Sequence, residues 1–374
     1  MELVQIKTLL NDLLSQTGAE CGSVDDFSWQ DTGTAISNLT ADAFKTFNEK
    51  FALGVVKTYF ETRRWKKSLD IMTDSQTYDG LKQYVKAGLL EADDISIVAL
   101  QDGHDYTDGV YKELDTKAKI YTKDFGYRIK YSVPTEQLRF MFSNEESCVG
   151  YVSLIEATVA NSANKLKWNV QLSTLVGLIV RALSAGTAKK VPVLTIYNTQ
   201  FGTSLTENDC FKDTAFKRWL IEQVANLRSY ITDINTKYNN EAAESFTPAE
   251  DTRVTLLTAV HNAIRNVSTF EMIGTDLTLG EYNTVNAWQS TGSGLLPSLD
   301  TVSTIVDNGD ALNPVTYAGV LGIIYDKYSC GLTMKCQKVT SQYIGAGDFT
   351  QFYNHIVGQS FINEFNNAIV LTLE

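Results

Sequence analysis

Ser143-Asn144-Glu145-Glu146-Ser147-Cys148-Val149-Gly150-Tyr151-Val152 opens the longest regular stretch of the chain, and its reading decides the architecture. A Ser followed three residues later by Glu is a capping box, in which each side chain satisfies a backbone N–H left without a partner at a helix start. Val152, Ile155, Val159, Ala163, Leu166 and Val170 then recur at spacings of three and four, the period of one helical face. The pattern runs on to Leu183, and Gly186 supplies a C-terminal stop. The spacing predicts one helix of ~40 residues, ~60 Å long at 1.5 Å per residue. Helices in globular domains average ~10–14 residues, so this one is a structural spine, with Gly177 as a candidate bend.

The spine does not read as a membrane span. Glu156, Lys165, Lys167 and Arg181 interrupt the apolar run from Val149 to Leu183, leaving less than the ~20 clean residues a bilayer needs. Met1-Glu2-Leu3 lacks a basic start followed by an apolar stretch, so no secretory signal is expected. The 374 residues suggest two packed units at ~150 residues each. With 44% hydrophobic and 20% charged residues, the composition is ordinary for a globular chain and disfavours disordered and collagen-like classes. Lys and Arg total 32 against 44 Asp and Glu, a net charge of −12. A duplex-gripping protein needs a basic footprint, so this chain can surround nucleic acid but is not built to hold it tightly. Cys21, Cys148, Cys210, Cys330 and Cys336 are irregularly spaced, with no Cys-x-x-Cys; they read as buried reduced thiols of a protein made in a reducing cytoplasm.

Outward from the spine, residues 2–15 place Leu3, Ile6, Leu10, Leu13 and Leu14 on one helical face. Residues 17–38 read as an extended arm anchored by Phe27 and Trp29, and Thr40 offers an N-cap to the residues after it. Between Arg63 and Tyr131 the stretches 64–72, 81–86 and 118–131 show a rough period of two and read as strands. Their polar and apolar faces are poorly separated, which suits an arm or hairpin projecting from the body and leaves few of these side chains for a large core. After Gly186, residues 191–197 read as a strand, followed by a second long helix with the stripe Phe216, Leu220, Val224, Leu227, Ile231 and Ile234. Thr247-Pro248-Ala249-Glu250 repeats the capping-box logic with Pro at the first helical position. Residues 253–258 read as a buried strand, 261–267 as helix, 275–311 as short strands and turns, and 315–325 as an apolar run. Two Tyr- and Phe-rich strands then close the chain at Ile369-Val370-Leu371. The fold class is α+β.

Charge is segregated in the projecting segment. Residues 57–67 carry Lys57, Arg63, Arg64, Lys66 and Lys67 against Glu61, a net of +4. Residues 91–108 carry Glu91, Asp93, Asp94, Asp102, Asp105 and Asp108 with no Lys or Arg, a net of −6. Two solvated faces are one reading; complementary contact between neighbouring copies of the chain is the other. The candidate inter-subunit residues are accordingly Arg63, Arg64, Lys66, Lys67, Glu91, Asp93, Asp94, Asp102, Asp105 and Asp108.

Catalytic chemistry has little to stand on. His104, His261 and His355 are far apart and lie in no recognisable acid–base motif, and no His-Glu-x-x-His, phosphate-binding loop or Gly-x-Ser-x-Gly occurs. The Asp-rich run lacks the glycine and closing Glu of a calcium loop. Tyr121, Phe125, Tyr127 and Tyr131, and Phe349, Phe352 and Tyr353, read as strand packing rather than as a sugar- or base-stacking surface. No catalytic residue, cofactor or metal is expected, and a structural or assembly role fits better than an enzyme.

The order of elements is itself specific: an N-terminal arm, a charged β-rich extension, a long capped spine helix, a mixed α/β unit and closing strands. It resembles the major capsid protein of tailed bacteriophages, a fold shared with encapsulins and the floor of herpesvirus capsids. Residues 64–72, 117–121, 125–134 (Phe-Gly-Tyr-Arg-Ile-Lys-Tyr-Ser-Val-Pro), 322–327 (Gly-Ile-Ile-Tyr-Asp-Lys) and 349–354 (Phe-Thr-Gln-Phe-Tyr-Asn) are similar to the short-chain members of that group. The resemblance implies an N-arm over residues 1–55 and an extended loop over 56–116. It implies a peripheral domain over 117–185 and 319–374 with the spine helix at 144–184, and an axial domain over 186–318. It further implies a virion protein, assembled in the host cytoplasm into an icosahedral shell of pentamers and hexamers around double-stranded DNA. The partners would be further copies of itself, a portal and other head proteins, and scaffold or decoration proteins, with no membrane. An encapsulin-type cargo compartment and an acidic carbohydrate-binding protein are the alternatives.

Overall fold

The computed structural model describes residues 3–16, 35–36, 39–40, 42–43, 46–47, 67–75, 84–87, 116–119, 122–134, 145–186, 189–271, 282–289, 301–307 and 312–374. Leu10, Leu13 and Leu14 are buried along one side of α1 (Leu3–Gln16), as their spacing predicts. The Thr40 hydroxyl accepts from the Ala43 N–H at 3.4 Å, the geometry of an N-cap. Four strands follow: β1 (Met72–Ser75), β2 (Tyr84–Ala87), β3 (Thr116–Lys119) and β4 (Thr122–Pro134). Residues 67–71 are not strand, contrary to the expectation for 64–72. The Leu69 N–H donates to Gln171 Oε1 of the spine at 3.2 Å, so a helix side chain replaces a sheet neighbour. Leu69 and Ile71 also belong to the main core, which their mixed sequence context hid. The arm anchors Phe27 and Trp29, the cap at Ser143-Asn144, and Tyr121, His104 and Cys21 lie outside the described residues.

The spine is α2 (Glu145–Ser184), unbroken over 40 residues. It ends where expected, with Gly186 at φ +143°. The chain remains helical through Gly177, whose bare Cα lets Ile362 approach: a Cβ there would lie 3.0 Å from Ile362 Cδ1. The first half of α2 has one apolar side; from Leu175 to Leu183 nearly every side chain is buried.

Beyond it come β5 (Lys190–Pro192), α3 (Val193–Phe201), α4 (Glu207–Cys210), α5 (Thr214–Tyr230), β6 (Thr252–Leu257), α6 (Thr258–Glu271), β7 (Asn283–Val285), β8 (Thr301–Asp307), β9 (Leu312–Ala318), β10 (Val320–Asp326), β11 (Cys330–Ile344), β12 (Phe349–Ile362) and β13 (Ala368–Thr372). The strand expected over 191–197 is therefore cut short. Val193, Leu194 and Tyr197 are buried at a helical spacing, and Gly202 at φ +63° closes the helix with its N–H on Asn198 O. In α5 the stripe Phe216, Leu220, Val224 and Leu227 is buried, with Ile231 buried just beyond it, whereas Ile234 is 59% exposed past the helix end. No helix starts at Thr247-Pro248-Ala249-Glu250. The Thr247 hydroxyl, which would cap it, accepts instead from Asn367 Nδ2 at 3.3 Å, and Pro248 O accepts from the Asp251 and Thr252 N–H groups in a single turn that feeds β6. Three strands rather than two close the chain.

The strands form two main sheets. One runs β1-β11-β12-β4, with β1 parallel to β11 and the rest antiparallel. The other runs β5-β13-β10-β6-β7, with β5 and β7 parallel to their neighbours. Gly322 permits the tight pairing of β10 on β6, since a Cβ would meet Thr255 O at 2.7 Å. The pairs β2–β3 and β8–β9 form separate two-stranded ribbons. The spine packs against both main sheets and the β8–β9 ribbon, which joins the apolar residues of both sheets, α3, α5 and α6 into one core.

Candidate functional site

Nine of the ten candidate inter-subunit residues (Arg63, Arg64, Lys66, Glu91, Asp93, Asp94, Asp102, Asp105 and Asp108) lie outside the described residues. The tenth, Lys67, holds its ammonium 4.7 Å from the ring centroid of Trp168, so it faces the chain's own spine. Two further contacts tie down the same stretch. Gln171 holds Ser68 and Leu69, and Asp70 pairs with Arg253 of β6. Residues 67–70 are thus held against the chain's own body.

The two faces of the β11-β12-β4 sheet differ. Toward the spine, Tyr131 stacks on Phe352 with centroids 5.1 Å apart and packs with Ile155, Val159 and Ala160. This places Ile155 and Val159 against strands, with Tyr131 and Phe352 as strand packing. On the opposite face the register sets Lys338, His355 and Arg128 abreast on three adjacent strands, with Lys130 the next outward residue along β4. Strands lie ~4.8 Å apart, so the Lys338 and Arg128 strands flank the one that carries His355. Arg128 lies 5.0 Å from the Tyr353 ring centroid, and His355 Nε2 shares a 3.0 Å hydrogen bond with the Thr340 hydroxyl. None of Arg128, Lys130 or Lys338 makes an ion pair with a described residue. Cys336 is exposed on this same face, opposite Val357.

Between sheet and spine, Asn354 is fully buried with neither amide atom hydrogen-bonded, and the Thr350 hydroxyl is in the same condition. Where the spine ends the opposite holds, and polar groups are paired. Arg181 Nη1 donates to Glu364 Oε1 at 2.7 Å, and Lys189 Nζ donates to Asn240 Oδ1 at 2.6 Å. Burial lowers the Lys189 ammonium below its ordinary pKa, against the opposing pull of Glu364 and Glu241. Ser245, Asn239, Asn367 and Thr247 complete a buried network that fastens residues 231–247 to the turn before β13.

Burial pushes the Cys330 thiol up to about 12 and the Cys210 thiol to about 11, so neither offers a thiolate near neutral pH. The exposed Cys336 departs from the expectation that all five thiols are buried; its strand leaves the body there. Among the described residues no three His, Cys, Asp or Glu side chains converge as a metal site, and no helix is long and apolar enough to cross a membrane. What the arrangement offers is surface: the outer face of the β11-β12-β4 sheet, with Arg128, Lys130 and Lys338 on it.

The family model of the Phi29-like phage major capsid protein matches residues 6–372. The chain belongs to that family. The capsid protein also shares its fold with the capsid structure of Staphylococcus phage Andhra, at 11% identity over 84% of this chain and 88% of that one, with a TM-score of 0.50. The chain is also similar to the head fibre and inner core structure of native bacteriophage P68 (12% identity, 84% and 89% coverage, TM-score 0.48) and to the capsid of cyanophage P-SCSP1u (12%, 81% and 86%, 0.45). No curated protein matches by sequence. The capsid protein is thus a structural, self-associating component of the virion shell, and a cargo compartment is not favoured. Sequence reasoning offered Lys67 as an inter-subunit contact, whereas its ammonium lies over Trp168 of the same chain, and it missed the cationic row. Arg128 and Lys130 stand 210 and 208 residues from Lys338, and only the strand register brings them together.

Proposed function

We propose that the protein assembles into a closed icosahedral shell of pentamers and hexamers around packaged double-stranded DNA, without catalytic activity. The family match over residues 6–372 carries the reading. Assembly takes place in the host cytoplasm with a portal and other head proteins, and scaffold or decoration proteins add to the set. The net charge of −12 suits a wall that encloses DNA without gripping it. Residues 1–55 act as an N-arm, 56–116 as an extended loop, 117–185 with 319–374 as a peripheral domain and 186–318 as an axial domain. β10 and β13 run from the peripheral segment into the sheet that holds β6 and β7, so the two domains share a sheet rather than meet at a linker. Arg63, Arg64 and Lys66 meet the acidic residues Glu91 to Asp108 of neighbouring copies, with Lys67 anchoring the loop.

Negative-stain microscopy and sedimentation of the purified protein test the reading. Closed particles or discrete five- and six-membered capsomers are expected. A species that stays monomeric at high concentration, with scaffold and portal supplied, overturns it.

A further inference from the structure

We infer that Lys189 and Asn240 join in an amide cross-link within the subunit, with Nζ bonded to Cγ and the side-chain nitrogen of Asn240 released as ammonia. The bond lies inside one chain, so it goes beyond the shell reading and does not depend on it.

The two groups are already in contact. Lys189 Nζ donates to Asn240 Oδ1 at 2.6 Å, and Lys189 is only 4% exposed. A carbonyl bond is ~1.23 Å long, so Nζ lies within ~3.8 Å of Cγ, near the ~3–3.5 Å from which such atoms react. Both ends are fixed before any reaction. The Asn240 N–H donates to Glu364 O at 2.9 Å, and the neighbouring Asn239 is buried with its amide on Ala243 and Ser245. Lys190, next to Lys189, opens β5 opposite Val370 of β13. Holding amine and amide in this way turns a chance encounter into a unimolecular step. The surroundings also supply the proton chemistry. An ammonium has no lone pair with which to attack, and burial favours the neutral amine of Lys189 against the pull of Glu364 and Glu241. Glu364, fixed by Arg181 at 2.7 Å, is the carboxylate through which the protons pass. Nζ gives up two protons by way of Glu364, the Nζ–Cγ bond forms and the Cγ–Nδ2 bond breaks. Nδ2 takes both protons and leaves as ammonia carrying the proton that charged Lys189. No oxidant or cofactor enters, and the event occurs once per chain, on the chain itself. A neutral amide replaces a buried charge, while Arg181 and Glu364 remain balanced. The cross-link spans 51 positions and restricts the unfolded chain as a disulfide would, yet it withstands reducing agents.

Intact-mass spectrometry of the purified full-length protein tests the bond. The chain should be lighter than its sequence by one ammonia, and trypsin should yield one branched peptide joining residues 182–190 to residues 238–253. Lys189→Arg keeps the charge and should show its full sequence mass, with a denaturant midpoint below that of the wild type. Asn240→Ala should also show its full sequence mass. Glu364→Gln should leave most chains unlinked while still unfolding cooperatively, which separates the proton step from a failure to fold. A wild-type chain at the full sequence mass would overturn the inference. So would ammonia loss that persists in Lys189→Arg or that comes without the branched peptide, since either would place the loss at another residue. Complete linkage in Glu364→Gln would overturn the role given to that carboxylate.

Discussion

Arg181, in the last turn of the spine, reaches Glu364 at 2.7 Å, so one ion pair joins the end of the long helix to the turn before the final strand, 183 residues later. The side chains are 20% and 8% exposed, which places the pair between the weak surface case and the costly buried one. Glu364→Gln should cost ~1.5–3 kcal/mol, the range for a hydrogen bond to a charged group. Arg181→Leu should cost a similar amount, and the double variant less than the two together. Denaturant midpoints measure all three; strict additivity would mean the residues do not interact.

The spine should be unequally sensitive along its length. Ile179 is fully buried, and Ile179→Ala should cost ~2–5 kcal/mol. Ile155 is half-buried against Tyr131 and should cost less on the same substitution, under ~2 kcal/mol. Equal losses at the two sites would contradict the burial gradient.

Alkaline pH should loosen the subunit through its buried thiols. The folded pKa of Cys330, about 12, lies above the ordinary thiol value of 9.0, so the folded state keeps its proton longer than the unfolded one. Stability from this group is complete below pH 9.0 and is lost as pH rises toward 12, at up to ~1.4 kcal/mol per pH unit. Cys330→Ala should lower stability at pH 7 by leaving a cavity, yet flatten this part of the decline. An identical slope in variant and wild type would exclude the thiol as its source.

Asn354→Leu should stabilise the isolated subunit. A buried amide with both polar atoms unpaired costs ~1–3 kcal/mol, and leucine has nearly the same shape without that cost. A higher midpoint is expected; a lower one would mean the amide has partners in the folded subunit.

Reversing Arg63, Arg64 and Lys66 to Glu should block assembly while the subunit stays folded. Each exposed pair is worth only ~0.2–1 kcal/mol, but it recurs at every contact. Lys67→Ala should behave differently, reducing subunit stability through the lost Trp168 contact. Normal shells from the triple reversal would remove the basic block from the interface.

What could be read from residues alone followed the strength of the local period. The 40-residue α2, its Gly186 stop, the Leu face of α1 and the buried strand β6 were all legible, because a long repeat or a solid apolar run leaves no competing assignment. Val193–Phe201 was misread, because five or six apolar and β-branched residues suit either period and only the docking of Val193, Leu194 and Tyr197 decides. Thr247 was misread for a different reason. The side chain that fits a cap was taken by Asn367, 120 residues away. The charged loop was legible as composition, whereas the cationic face was not, since it exists only once β4, β11 and β12 are in register.

The place of β13 has a consequence for timing. It lies between β5 and β10, so two of the sheet's pairings, including a parallel one to residues about 180 positions earlier, wait for a strand made long after β5. Until residue 372 has left the ribosome, β10 has an open edge and the spine lacks one of the strands it packs against. An open edge is a template for unwanted pairing, and many copies made together present many such edges at once. The same delay acts as a licence: no copy can offer a finished body to a growing shell before its own β13 is made and paired.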